Sequence, residues 1–134
     1  MPLVLIDYTP LYFTAVAQVP IPPLRTGKFV QVRNGNTLYL ILSSMEFTKY
    51  HANIIERFCM DKGIEGNYDA KQEKFTITDR EWQVVGGGKF ERDDNKKALQ
   101  LYDNSMAYGK YNATGLKEML TALSEFSGYT IFIK

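Results

Sequence analysis

The chain has 134 residues, 45% of them hydrophobic and 23% charged, with a formal net charge of +1; this size predicts one domain that buries a core without disulfides or metals. Basic and acidic residues are interspersed, which excludes the basic footprint of a nucleic-acid or anionic-membrane binder. Cys59 is the only cysteine and His51 the only histidine, which excludes an internal disulfide and a zinc site of the usual His/Cys kind.

Met1–Val19 is apolar enough to suggest a signal peptide, but it lacks a basic start, carries Asp7 and is broken by Pro10. No run approaches the roughly 20 apolar residues of a membrane helix. The expectation is a cytoplasmic, monomeric protein. Within the stretch, Leu3–Ile6 and Leu11–Val19 have strand-like composition, and Pro20, Pro22 and Pro23 then forbid regular structure. Lys28–Arg33 and Thr37–Leu42 read as two strands around Asn34-Gly35, which supplies the positive φ of a tight hairpin turn. Thr37–Leu42 is apolar on both faces and is expected to be central.

A helix is predicted from about Met45 to Asp61, with Ser43 and Glu46 at capping-box spacing and Thr48 as a rival cap. Phe47, Ile54 and Phe58 fall on one stripe, and His51 sits near its middle, directed toward the sheet or a cleft. Gly63 is the expected stop. Short strands follow at Gly66–Tyr68, Lys74–Thr78 and Trp82–Val85, the last ended by Gly86–Gly88. The sign-alternating run Lys89–Lys97 reads as a solvated turn. Ala98–Tyr102 is a further strand. Thr114 caps a helix to about Phe126, with Leu116, Met119, Leu120, Leu123 and Phe126 at helical spacing. Gly128 ends it and Tyr129–Ile133 closes the chain as a strand. The fold class is α/β: a single domain over 1–134, the first 26 residues being the least readable, with a mixed β-sheet and at least two helices on its faces.

The chemistry-bearing pieces stand in a fixed order: Tyr50-His51-Ala52-Asn53-Ile54, Gly86-Gly87-Gly88-Lys89, Lys96-Lys97, Ser105-Met106-Ala107-Tyr108-Gly109, and then an amphipathic helix. A lone histidine on an apolar stripe is more often packing than chemistry, and a small-residue loop is more often a tight connection than an anion cradle. The ordered set resembles the phosphohistidine phosphatase, or Janus/ocnus, family from about Gly27 to the C-terminus. The resemblance implies a mixed sheet with helices on its faces and a metal-independent, cofactor-free hydrolase. That activity is protein dephosphorylation, with phosphohistidine-containing proteins or small phosphoramidates as substrates.

It also implies that His51 is catalytic, as a general base toward water or as the attacking nucleophile. Ser105, Met106 and Ala107 would hold phosphoryl oxygens through the Ser105 hydroxyl and backbone N–H groups. Lys89 stands where the family has arginine and would act as a point charge, and Tyr50 would wall the cleft. The glycine triple is expected to permit close backbone approach rather than to bind phosphate. Two basic positions of the family pattern correspond to about Tyr39 and to Ser43, so either another basic residue substitutes, with Lys49, Lys110 and Arg33 as candidates, or the substrate is bound weakly, or the substrate differs. The alternatives are a non-catalytic phosphate- or phosphoprotein-binding module of the same fold, or an interaction protein in which His51 is core.

Overall fold

Two parallel pairings at the edges and antiparallel pairing in the middle build a six-stranded mixed sheet, in the order Leu3–Asp7, Thr37–Ser43, Leu24–Asn34, Trp82–Asp93, Ala98–Tyr102, Thr130–Ile133. The computed structural model describes residues 2–134; Met1, which opens the apolar N-terminal stretch, lies outside the described residues. The strands are β1 (Leu3–Asp7), β2 (Leu24–Asn34), β3 (Thr37–Ser43), β6 (Trp82–Asp93), β7 (Ala98–Tyr102) and β8 (Thr130–Ile133). A separate small hairpin pairs β4 (Gly66–Tyr68) with β5 (Phe75–Ile77). The helices are α1 (Thr9–Leu11), α2 (His51–Lys62) and α3 (Leu116–Thr121).

Period-2 alternation along β2 and β3 sends side chains to two cores. Val30, Val32 and Ile41 pack under α2 with Ile54, Ile55 and Phe58. Phe29, Leu40 and Leu42 pack on the opposite face with Phe90, Leu101, Leu116, Leu120 and Phe126. Each of these large side chains is fully buried, and each contributes about 1.5–3 kcal/mol of hydrophobic stabilisation. β3 is thus covered on both faces, as its continuous apolar run requires, and Asn34-Gly35 turns the β2–β3 hairpin with Gly35 at φ 57°.

Four segments depart from the sequence pattern. Leu11–Val19 is not a strand: Pro10 sits in the first turn of α1, which runs on into a π-helical turn, Tyr12–Ala17, stopped by Gln18 in the left-handed region. α2 begins at His51 rather than near Met45. The Ser44 carbonyl accepts the N–H groups of Phe47 and Thr48 in a separate turn, and Tyr50 is extended at φ −119° and ψ 157°. β6 does not end at the glycines but runs through them to Asp93, because β2 pairs with it along its whole length. A bulge at Val85 absorbs the register shift opposite Gln31 and Val32. The last helix is shorter than its apolar spacing suggests: α3 stops at Thr121 and a single 3-10 turn, Ser124–Phe126, continues the apolar face. Its N-cap is Gly115 at φ 70°, not Thr114.

Candidate functional site

His51 is the first residue of α2, and its position follows from how that helix starts. The Tyr50 N–H donates to Asn53 Oδ1 at 3.0 Å, and the Tyr50 carbonyl accepts the Asn53 N–H at 3.0 Å. These two bonds satisfy orphan groups of the first turn and fix the entry angle. The imidazole is thereby laid onto β6, 7% exposed, with Nε2 2.9 Å from the Gly88 carbonyl oxygen. A carbonyl only accepts, so Nε2 carries the hydrogen and Nδ1 of the neutral ring keeps a lone pair.

Burial is the main force lowering the His51 pKa below its ordinary 6.5. The Gly88 bond and the Asp103 carboxylate oppose it, while the positive charges of Lys28 and Lys89 add to it. The side chain is therefore a neutral imidazole at pH 7, with a basic nitrogen held in fixed orientation.

Each glycine of the triple makes room for close neighbours. A Cβ on Gly87 would lie 2.8 Å from His51 Cδ2; one on Gly86 would lie 2.3 Å from the Lys110 carbonyl oxygen. A Cβ on Gly88 would meet the Tyr102 carbonyl oxygen at 2.4 Å and the Phe29 ring at 2.9 Å. The triple is a place of close approach, as its composition suggested.

β7 covers β6 only from Lys89 to Asp93. Beyond that, the segment after Asp103 takes its place. Gly87 donates its N–H to the Gly109 carbonyl at 3.1 Å and forms a parallel bridge with Lys110. The Ser105–Gly109 loop is closed on itself by Ser105 N–H to Gly109 O at 3.1 Å and Gly109 N–H to Ser105 O at 2.7 Å, with Gly109 at φ 83°. Tyr108 donates its N–H to Ser105 Oγ at 3.1 Å. Its ring hydroxyl bonds both the amide and the carbonyl of Phe75, anchoring the loop to the small hairpin. The amides of Met106 and Ala107 have no partner in these interactions. His51 and the Ser105–Gly109 loop, far apart in sequence, thus converge on Gly87.

The remaining expected residues are placed as follows. Ser105 is buried at the loop base, and because its oxygen accepts from Tyr108 its hydrogen remains available to donate. The Met106 side chain is fully exposed, so only its backbone can serve. Lys89 lies on the sheet next to His51, half-exposed and paired with Asp103 at 3.2 Å. The Tyr50 ring is exposed and stands between the ammonium groups of Lys28 at 5.5 Å and Lys49 at 5.4 Å.

The sequence reading passed over one positive charge that is felt at His51, that of Lys28. Lys28 pairs with Lys89 across the β2–β6 ladder, so both project from the α2 face, and its charge is felt at His51. The signal was present in the alternation Lys28, Val30, Val32, whose apolar members face α2. It becomes legible only once β2 is known to lie beside β6.

Of the candidate substitutes, Lys110 is engaged elsewhere and Arg33 lies away from His51. Lys110 Nζ donates to the carbonyls of Asp103 and Lys134. Arg33 pairs with Gln83 near the other end of β6. Tyr39 is stacked with Phe58 and Trp82, whereas Ser43 is fully buried and pairs with Lys28 across the β2–β3 ladder.

Among the described residues, no three His, Cys, Asp or Glu side chains gather into a metal-binding group, and no helix is long and apolar enough to cross a membrane. A family model for the Janus/Ocnus family matches residues 14–130 of the chain. No curated protein matches the sequence.

Proposed function

The chain belongs to the Janus/Ocnus family, and from that premise we propose that it is a metal-independent phosphatase acting on phosphohistidine in proteins. The observation that carries this reading is the convergence on Gly87 of a neutral, oriented imidazole and a loop with unengaged amide donors. In the proposed reaction the phosphoryl oxygens lie against the Met106 and Ala107 N–H groups and the Ser105 hydroxyl, with Lys28 and Lys89 neutralising charge. Such preorganised donors are commonly the largest contribution to transition-state stabilisation. His51 Nδ1 takes a proton from the attacking water as the oxygen bonds to phosphorus. The P–N bond breaks, its electron pair goes to the leaving nitrogen, and the proton on His51 is then available to that nitrogen. A P–N bond with a protonated leaving nitrogen is labile, so one base and an oxyanion cradle suffice without a metal.

The Lys89–Asp103 pair supports a second reading, a phosphate-binding module without turnover, because Asp103 offsets one of the two lysine charges. The two are separated by assaying a chemically phosphorylated histidine peptide in EDTA beside a titration with inorganic phosphate. Turnover in EDTA that His51→Ala lowers by ~10²–10⁴-fold supports the phosphatase. Phosphate binding without turnover supports the module. Neither turnover nor binding rejects both.

A further inference from the structure

A second site lies at the far end of β2 from Lys28, on the opposite face of the sheet. A cavity of about 390 Å³ opens between the sheet and the start of α3, walled by Leu38, Val85 and Met119, with Gln31, Arg33, Asn112, Thr114 and Gly115 completing the lining. Arg33 is held there by its register: it pairs with Leu38 on β3 and Gln83 on β6. Its Nε is buried without a hydrogen-bond partner. Among the described residues its guanidinium joins none of the ion pairs.

No acidic side chain lines this cavity. The neighbouring depression that Arg33 also borders contains both Arg80 and Glu81, so acidic and basic charge coexist there. Gln31 is not a free donor toward the cavity. Its Nε2 donates to the Asn112 carbonyl at 2.9 Å and its Oε1 accepts the Asn112 N–H at 2.7 Å, which fixes the wall. The cavity therefore offers an uncompensated guanidinium edge, the Thr114 hydroxyl and three apolar surfaces.

Arg33 is only partly buried, but an N–H donor of a cation that is itself buried without a partner, as its Nε is, gains from an anionic acceptor. The planar guanidinium matches a carboxylate, which it binds through paired hydrogen bonds. The apolar walls select a ligand with a hydrocarbon body, and the volume falls in the range of small-molecule sites. We infer that this cavity binds a small organic carboxylate, its charge on Arg33 and Thr114 and its apolar body against Leu38, Val85 and Met119.

The inference is tested by following backbone amide resonances of the intact protein during titration with sodium hexanoate, hexan-1-ol and inorganic phosphate. Hexanoate is expected to shift the amides of Arg33, Val85, Thr114 and Met119 saturably, with hexan-1-ol at least tenfold weaker. Arg33→Gln should reduce hexanoate to the level of the alcohol. Thr114→Ala, at an exposed position, keeps the test decisive if the Arg33 variant does not fold, and should weaken hexanoate several-fold. Equal binding of acid and alcohol, or no saturable shift at these amides, overturns the proposal. Displacement of hexanoate from these amides by phosphate overturns the carboxylate assignment in favour of a general anion site.

Discussion

His51 and Lys28 carry the sharpest expectations at the scale of single residues. Lys28 lowers the His51 pKa, so removing its charge must raise it. Lys28→Met should therefore move the imidazole titration upward, which a single histidine makes unambiguous by proton NMR. The same variant should weaken inorganic phosphate binding by ~10–100-fold, on the basis of about 1.5–3 kcal/mol for a charge-assisted hydrogen bond. Lys89→Met should cost less, because Asp103 already engages that ammonium. An unchanged titration and unchanged phosphate affinity in Lys28→Met would remove Lys28 from the site. Placing a basic side chain at Tyr39 should not restore binding. It would instead break the Tyr39–Phe58–Trp82 cluster and lower stability. His51 could be singled out from the sequence as a candidate because no other histidine competes with it. Lys28 was not legible, because its relevance depends on a strand pairing across some sixty residues of sequence.

At the scale of elements, the site depends on a strand that gives up side chains. β6 contributes three consecutive positions at which backbone or ring atoms occupy the space of a Cβ. Gly87→Ala should push the imidazole off the Gly88 carbonyl, since the added carbon would lie 2.8 Å from His51 Cδ2 and 2.7 Å from the Phe29 carbonyl oxygen. The expected loss of stability is about 1–3 kcal/mol, measured by urea denaturation, with activity falling further than the unfolded fraction explains. A Gly87→Ala protein of full stability and full activity would show that the close approach is dispensable. Local pattern revealed the hairpin at Asn34-Gly35 and the central character of β3, because both depend on neighbours in sequence. The start of α2 was misread because Ser43, Glu46 and Thr48 offer plausible caps. The extended Tyr50 and its Asn53 bond, rather than those residues, fix the first turn. The continuation of β6 through three glycines was likewise hidden. Glycine disfavours a strand on its own, and only the ladder with β2 overrides that tendency.

At the scale of the whole molecule, a polar network at the opposite end of the sheet ties the N-terminal segment to the C-terminal one. Arg92 bonds Asp7 at 3.3 Å, Asp94 at 2.9 Å and Glu125 at 3.0 Å; Arg25 bonds Asp94 at 3.0 Å and the Pro22 carbonyl at 2.8 Å. Arg92→Met should destabilise by about 3 kcal/mol, because it removes the ionic partner of the largely buried Asp7 carboxylate, which keeps only the Thr9 N–H and hydroxyl as donors. Two separate windows of acid sensitivity follow from the titrating groups. Burial tends to raise the Asp94 pKa, but hydrogen bonds from Tyr129 and Arg92 and the charges of Arg92 and Arg25 overcome it and hold the group at about 2 against an ordinary 3.8. Its contribution is present above pH 3.8 and is lost as the pH falls through about 2. His51 also has a folded pKa below its ordinary value, chiefly from burial, so the unfolded chain binds the proton first. Its contribution is therefore complete above pH 6.5 and declines as the pH falls below that value toward the folded pKa. Urea midpoints from pH 8 down to pH 5 should fall in the wild-type protein, and His51→Asn should flatten that fall while leaving the Asp94 window in place. A wild-type midpoint that stays constant across pH 6.5, or a slope that survives in His51→Asn, would contradict a buried neutral imidazole at Gly87. It would thereby remove the proton acceptor on which the proposed reaction depends.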